Sequence, residues 1–344
     1  MNTIIKAGII GGAGYTGGEL LRILVNHPQA EIAFVNSNSN AGNYLYDVHT
    51  DLLGDTDLKF TDKILQDIDV LFLCVGHGDA KKLLAAHPIN QRVKIIDLSQ
   101  DFRLSPAVFH QPGTAVGDTA GDRNFVYGLP ELNRHAIKEA ANIANPGCFA
   151  TCIQLGLLPL AGKGSLTADV HINATTGSTG AGQSLSATSH FTWRNNNLSV
   201  YKAFEHQHLR EIKQSLNQLQ AGAYPPSEDA GGLNFIPQRG DFTRGILAAM
   251  YTESSLTLQE AEKLYQDFYA SHPFTHISKK NIDLKQVVNT NKCFIHLEKH
   301  GDKLFIISII DNLLKGASGQ AVQNMNLLFG LEETMGLKLK APAF

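Results

Sequence analysis

The residues best suited to covalent chemistry lie in the run Asn145-Pro146-Gly147-Cys148-Phe149-Ala150-Thr151. One cysteine follows a Pro-Gly turn, and an apolar helical pattern through Cys152, Leu155 and Leu158 runs from it to Pro159. If Cys148 opens that helix, unpaired backbone N–H groups and the positive end of the helix dipole surround its sulfur. Such surroundings favour the thiolate, the form that attacks a carbonyl carbon. Taken alone, the segment also reads as a small apolar residue at a turn, since free cysteines are usually buried and inert.

Three further constellations bear on the chemistry. In Glu205-His206-Gln207-His208-Leu209-Arg210-Glu211, His208 and Glu211 are neighbours on one helical face. A carboxylate beside an imidazole fixes its tautomer and raises its basicity. Two close histidines also suit zinc, but no further ligands stand at a suitable spacing, so no metal is expected. In Ser99-Gln100-Asp101-Phe102-Arg103, Arg103 offers a bidentate fork to phosphate or carboxylate, or else pairs with Asp101 at the surface. The loop Thr176-Gly177-Ser178-Thr179-Gly180-Ala181-Gly182 reads either as an anion cradle of amides and hydroxyls or as a flexible loop.

These groups need elements to position them. Ile4 to Ile10 reads as a buried parallel strand. Gly11-Gly12-Ala13-Gly14-Tyr15-Thr16-Gly17 and an amphipathic helix through Leu20, Leu21 and Leu24 follow. Gly12, Gly14 and Gly17 have the spacing of a dinucleotide-binding turn: tight turn, pyrophosphate approach and helix packing, in that order. The strand from Glu31 to Val35 ends in Asn36-Ser37-Asn38-Ser39, with no acidic residue for a ribose 2′-hydroxyl. Small polar residues such as Ser37 leave room for a 2′-phosphate, which points to NADP over NAD. Asp69 to Val75 and Val93 to Leu98 are two more strands, with His77 reading as structural in the turn between them. From Asp169 onward the pattern changes to longer strands, Asp169–Thr175, Arg244–Tyr251, Lys292–His300 and Lys303–Ile310, with a helix over Leu256–Tyr269. That order predicts an α+β domain after a doubly wound one, with the boundary near Asn145 and Cys148 at the junction. Gly316 to Phe329 reads as a helix that returns to the first domain.

Composition excludes several classes. The chain has 344 residues, 43% hydrophobic and 18% charged, with a net charge of -3 and no Lys/Arg stripe. Nucleic acid is therefore not an expected partner. The apolar runs are too short to span a bilayer, and residues 1 to 10 read as a strand and not as a signal peptide. Four cysteines, Cys74, Cys148, Cys152 and Cys293, form neither a disulfide scaffold nor paired zinc motifs, which suits a reducing cytoplasm.

In order along nearly the whole chain, these segments resemble the N-acetyl-gamma-glutamyl-phosphate reductases, a family within the aspartate-semialdehyde dehydrogenase group. The resemblance is carried by the glycine-rich start, Asp97-Leu98-Ser99-Gln100-Asp101-Phe102-Arg103, the Cys148 run, the His-x-His-x-x-Glu segment and Asn312-Leu313-Leu314-Lys315-Gly316-Ala317-Ser318-Gly319-Gln320-Ala321. It implies an N-terminal Rossmann domain, residues 1–147 completed by a C-terminal helix at 315–344. The catalytic and dimerisation domain, residues 148–314, is α+β with a mostly antiparallel sheet. It implies Cys148 as nucleophile, His208 as acid/base with Glu211 as its partner, and Arg103, Ser178 and His206 at the substrate. NADP(H) is expected at Gly12, Ala13, Gly14, Tyr15, Thr16, Gly17 and Ser37, with Asn312, Lys315, Gly316 and Gln320 closing over the nicotinamide. A homodimer or homotetramer is expected.

Three departures from the family pattern, at four positions, stand out. Cys152 stands where a small Gly or Ala is usual and, one turn from Cys148, suggests oxidation sensitivity. Gln183 replaces a basic residue, and Leu209-Arg210 replaces Thr-Pro while keeping His208 and Glu211 in register. The reaction expected is NADPH-dependent reduction of an acyl phosphate through a Cys148 thioester. The alternatives are a reductase of aspartyl or carrier-bound aminoadipyl phosphate, and a non-enzymatic NADP-binding thiol sensor using Cys148 and Cys152.

Overall fold

A computed structural model describes residues 4–104, 118–121, 123–220 and 232–342. They form two compact units. The first comprises residues 4–104, 118–146 and 317–338; the second comprises the described residues of 147–316 together with 339–342.

The first unit is built on one sheet of eight strands among the described residues. These are β1 (Ile5–Ile10), β2 (Ala30–Asn36), β3 (Phe60–Thr61), β4 (Val70–Leu73), β5 (Lys94–Asp97), β6 (Thr119–Ala120), β7 (Arg123–Tyr127) and β8 (Asn142–Ala144), in the order β3-β2-β1-β4-β5-β8-β7-β6. Every pairing is parallel except β6 with β7. The connection direction reverses at β1, which places a ligand crevice beyond the carboxyl ends of β1 and β4. β4 is wholly buried, as a strand covered on both faces must be. Helices α1 (Tyr15–Leu24), α2 (Asp79–Ala86) and α3 (Pro130–Glu139) belong to this unit, as does α8 (Gly319–Leu328) from the far end of the chain. α8 packs against α1 and α3, and the Ser318 hydroxyl donates to the Thr16 carbonyl at 2.8 Å.

The second unit carries β9 (Val170–Thr176), β10 (Ser199–Val200), β11 (Leu233–Arg239), β12 (Ile246–Glu253), β13 (Thr275–Ser278), β14 (Cys293–His300) and β15 (Lys303–Ile310) in the order β10-β11-β9-β12-β15-β14-β13. Only β11 with β9 and β13 with β14 are parallel; the other pairings are antiparallel. Its helices are α4 (Cys148–Gly162), α5 (Phe191–Arg194), α6 (His208–Leu219) and α7 (Leu258–Tyr269). α4 is buried from Phe149 to Ala161, which is why its apolar residues show so little one-sidedness in sequence.

Two features differ from the sequence expectation. α4 does not stop at Pro159 but continues to Gly162. A proline inside a helix removes the N–H that would bond the carbonyl four residues back. Here the Tyr269 hydroxyl donates to the Leu155 carbonyl at 2.5 Å, and the Tyr265 hydroxyl donates to the Gly156 carbonyl at 2.6 Å. Two phenols from α7 therefore satisfy the carbonyls that the proline disturbs. The second difference is β11, which the pattern hides because Pro237 interrupts it. The Pro237 carbonyl accepts from the Tyr201 N–H at 3.1 Å, so its backbone polar groups face the β10 side. The register sets Pro237 opposite Tyr201, so the ladder stops at Val200–Gln238 because proline has no N–H to return to the Tyr201 carbonyl, and the loss falls on the pairing with the sheet's edge strand.

Candidate active site

Cys148 is the first residue of α4 and is half-buried. The preceding Gly147 is extended, and no side chain caps the helix. The Gly147 N–H donates instead to Glu211 Oε2 at 3.0 Å, so a carboxylate from α6 holds the turn from which the cysteine projects. Glu211 is buried and so is His208, one turn earlier on α6. His208 Nε2 lies 3.8 Å from Glu211 Oε1. That distance suits an ion pair with a protonated ring but is too long for a hydrogen bond. Glu211 thus ties α6 to the cysteine turn through the backbone, a use that the spacing of His208 and Glu211 did not suggest.

Aromatic rings fix the two histidines. Phe149, next to the cysteine, meets His206 edge-on at 5.4 Å between centroids and Phe235 of β11 at 5.3 Å. His206 in turn meets His208 at 4.6 Å and Tyr201 at 5.9 Å. His206 Nδ1 accepts from the His208 N–H at 3.2 Å, which places its remaining ring proton on Nε2. Burial pushes the His206 imidazole down to about 4, the Lys202 ammonium acts in the same direction and Glu211 opposes. Burial likewise pushes the Tyr201 hydroxyl up to about 12, with Arg239 opposing and Cys148 adding to the rise. The Arg239 guanidinium stacks on the Tyr201 ring at 4.7 Å. Its buried Nε has no hydrogen-bond acceptor among the described residues. Phe149, Phe235, Tyr201 and Arg239 were not expected from spacing. Three of them reach the cluster only through the β10–β11 pairing that Pro237 conceals.

A second wall of this site is the turn after β15. Residues Leu314–Ser318 form a π-helical turn, with the Gly316 N–H donating to the Asp311 carbonyl at 2.9 Å. A Cβ on Gly316 would lie 2.8 Å from Cys148 Cβ. The fully buried Asp311 carboxylate accepts from the N–H groups of Leu313 at 2.8 Å, Leu314 at 3.0 Å and Asn289 at 2.8 Å. It also takes Arg244 Nε at 3.0 Å. Asn312 bridges neighbouring loops, accepting from the Gly245 N–H at 2.7 Å and donating to Thr179 Oγ1 at 3.0 Å. Lys315 is fully buried, its ammonium 6.0 Å from the Phe274 ring centroid, and Gln320 is fully buried on α8.

The loop holding Ser178 corrects the sequence reading. The amides of Gly177, Ser178, Thr179, Gly180 and Gly182 donate to the carbonyls of Gly245, Phe242, Thr243, Gly177 and Thr179 respectively. Those five N–H groups are spent on protein carbonyls and are not offered to an anion, and the bonds to Phe242, Thr243 and Gly245 fix the loop. Cys152 also differs from expectation. It is fully buried, donates to the Ser308 carbonyl at 3.2 Å, and burial raises its thiol well above the ordinary range. Pointing into the core at β15, it is neither exposed nor ionised as a resolving thiol must be.

In the first unit, Gly11 takes a left-handed φ of +78°, and its missing Cβ would lie 2.3 Å from the Cys74 carbonyl oxygen. The tight-turn glycine is thus Gly11, one place before the expected Gly12. Gly17 packs on Gly12, where a Cβ would come within 2.6 Å of backbone. At Gly14 a Cβ would meet nothing nearer than 3.7 Å, so of Gly11, Gly12, Gly14 and Gly17 this one alone faces open space. Gly14 caps α1 with Tyr15 and Thr16 in its first turn. Beneath the turn, the buried His49 shares a hydrogen bond of 2.8 Å with the Gly12 carbonyl through Nε2, and burial holds its imidazole below the usual value. Ser37 follows β2, with its hydroxyl accepting from Asn40 Nδ2 at 3.1 Å. Asn36 and Asn38 line a cavity of about 430 Å³ with Asp62, Ile64 and Leu83.

Arg103 is buried beside the β5 terminus, with Nη2 donating to the Leu98 carbonyl at 2.9 Å. Asp101 does not form the surface pair with it: its carboxylate caps α2, accepting from the Gly78 N–H at 2.6 Å and the Lys81 N–H at 3.2 Å. Burial pushes Asp97 up to about 6, against hydrogen bonds from Ser99 and the charge of Arg103. Among the described residues no group of three or more His, Cys, Asp or Glu side chains could hold a metal ion, and no helix is long and apolar enough to cross a membrane.

A doubly wound nucleotide-binding unit and a mixed-sheet unit presenting a cysteine with two histidines define the semialdehyde dehydrogenase class of oxidoreductase. Models of that class match both parts: "Semialdehyde dehydrogenase, NAD binding domain" over residues 6–140 and "Semialdehyde dehydrogenase, dimerisation domain" over residues 148–312. The fold is similar to aspartate semialdehyde dehydrogenase II from Vibrio cholerae, with a TM-score of 0.67 at 15% identity, covering 95% of this chain and 98% of that one. The N-acetyl-gamma-glutamyl-phosphate reductases of Bacteroides fragilis and Bacteroides thetaiotaomicron are 62% and 60% identical over 342 residues, 99% of this chain and 100% of theirs. The chain belongs to the N-acetyl-gamma-glutamyl-phosphate reductase family.

Proposed function

We propose that this chain reduces N-acetyl-gamma-glutamyl phosphate to N-acetylglutamate 5-semialdehyde and phosphate, with NADPH, in arginine biosynthesis in the cytoplasm. The observation that carries this reading is Cys148 at the first position of α4, with Glu211 anchored on the preceding N–H and two histidines packed on its neighbour Phe149. The first turn of α4 offers the sulfur and a developing oxyanion backbone N–H groups and the positive helix end. The Cys148 sulfur attacks the acyl carbon, and the C–O bond to phosphate breaks to leave a thioester. A thioester carbonyl is more electrophilic than a carboxylate, so the sulfur prepares the carbon for reduction. NADPH, when bound, supplies the hydride that converts this thioester to a thiohemiacetal. The hydride leaves an oxyanion on that carbon; protonated His208 gives it a proton and takes the same proton back as the C–S bond breaks, which regenerates the thiolate and frees the aldehyde. Glu211, 3.8 Å away, stabilises the imidazolium so formed.

The open space at Gly14, the N-terminus of α1 and the cavity lined by Asn36 and Asn38 fit a dinucleotide held at Gly12 to Gly17 and Ser37. Arg103 takes the phosphate. Arg239, with its unused Nε and its stack on Tyr201, takes the carboxylate of the N-acetylglutamyl end. His206, kept neutral, offers Nε2–H as a donor to the substrate. The working form is a homodimer or homotetramer: residues Leu185, Phe191, Leu198, Val200 and Phe204 expose large apolar side chains within the stretch matched by the dimerisation model.

The test is the reverse reaction. Purified protein is given N-acetylglutamate 5-semialdehyde and NADP, with and without phosphate, with aspartate semialdehyde and NAD as controls. Phosphate-dependent turnover that prefers the acetylated aldehyde is expected. No turnover with any aldehyde, despite NADPH binding, would overturn the reading.

A further inference from the structure

The turn after β15 lies directly against the nucleophile. We propose that the π-helical turn Leu314–Ser318 is the positioning element for Cys148, set by the buried Asp311 carboxylate and delivered through the bare Cα of Gly316. This rests on the reading of Cys148 as nucleophile.

Two independent observations carry it. The first is contact. A Cβ on Gly316 would stand 2.8 Å from Cys148 Cβ, 3.2 Å from Cys148 Cα and 3.3 Å from the Asp311 carbonyl oxygen. Glycine is therefore the one residue that lets this turn close on the cysteine, and its backbone forms a wall against which the Cys148 side chain rests. The second is how the turn is held. One carboxylate gathers the N–H groups of Leu313, Leu314 and Asn289 and a bidentate Arg244, whose Nε and Nη2 lie 3.0 and 3.2 Å from its oxygens. A buried charge with that many donors fixes the direction in which the chain leaves β15. The widened π turn then carries residue 316 inward, with the Gly316 N–H closing on the Asp311 carbonyl five residues back. Glu211 on the Gly147 N–H holds the opposite flank of the cysteine. Between these two acidic anchors Cys148 has little freedom to shift, which is the geometric demand of a sulfur that must meet a carbonyl carbon along one line.

The experiment compares wild type, Gly316→Ala and Arg244→Met, with Cys148→Ser as reference. It measures kcat and KM for the reverse reaction, NADPH affinity, and the rate of Cys148 alkylation by iodoacetamide at pH 7. Gly316→Ala is expected to lower kcat about 100-fold, the scale of a misplacement near 1 Å, and to slow alkylation measured without nucleotide, beyond any change in NADPH affinity. Arg244→Met, which loosens the anchor without adding an atom at the cysteine, is expected to act in the same direction by about 10-fold, and it decides the matter if Gly316→Ala does not fold. Unchanged kcat and alkylation in the folded variant overturn the proposal. A fall in turnover matched by lost NADPH affinity, with alkylation unchanged, also overturns it by making the turn a cofactor contact. If Cys148→Ser itself turns over, the nucleophile assignment fails first, an outcome distinct from either.

Discussion

α1 and α4 begin alike. Each starts behind an extended glycine, Gly14 with φ −79° and ψ 172° and Gly147 with φ −71° and ψ 152°, and neither has a side-chain cap. At α1 the space before the helix is open, since a Cβ on Gly14 would touch nothing within 3.7 Å. At α4 it is filled: a carboxylate sits on the capping N–H, and the backbone of Gly316 lies against the first side chain. The same local geometry thus serves two purposes. An open helix start receives an anion that arrives by diffusion. A closed one aims a reacting atom that already belongs to the chain, and holding that atom in place is what its neighbours contribute.

If this contrast is right, changes at α4 should alter chemistry without touching nucleotide affinity, and changes at α1 should do the reverse. The largest effect is expected from Cys148→Ser, which should abolish phosphate-dependent aldehyde oxidation while leaving NADPH titration of the protein unchanged. Loss of NADPH affinity in that variant would break the comparison. His208→Asn should lower kcat about 10²- to 10⁴-fold, the range of a general acid/base, and flatten the pH–rate profile; an unaltered profile would move the role to His206.

His206 sharpens the contrast through pH. Its imidazole lies near 4 in the fold against 6.5 outside it, so between these values the unfolded chain binds more protons. Stability that is complete above pH 6.5 is therefore lost as pH falls towards 4. The loss is on the order of 3 kcal/mol. Urea unfolding at a series of pH values should show this, and His206→Gln should remove most of the slope. The smallest effect is expected at the open end: Gly14→Val should weaken NADPH binding about 10- to 100-fold, the scale of lost hydrogen bonds to a charged group. Iodoacetamide alkylation of Cys148 should be unaffected in that variant.

Much of the molecule was legible where one element carries its own signal. The strand and glycine turn before α1, the start of α4 at Cys148, and the register of His208 with Glu211 all depend on residues within a few positions of each other. What escaped depends on long-range pairing. Tyr201, Phe235 and Arg239 join the histidines only through β10 and β11, and Pro237 erases the alternation that would reveal β11. The glycine-rich loop at Thr176–Gly182 misled for a related reason. Its composition matches an anion cradle, yet whether its amides are free is decided by Phe242, Thr243 and Gly245, more than 60 positions along the chain. The helical pattern is traceable only to Pro159 because the hydroxyls of Tyr265 and Tyr269, which let the helix run on, come from another helix.

The route of the chain through its two units also sets an order of assembly. Residues 147–316 leave the ribosome before 317–338, yet the later stretch belongs with the earlier unit. All of the second unit's sheet and helices can therefore form in the nascent chain, with only residues 339–342 outstanding, while α1 and α3 still await α8. A chain released at residue 318 would carry the whole turn that meets Cys148 but no α8, and comparing its NADPH affinity with its Cys148 alkylation would separate the two.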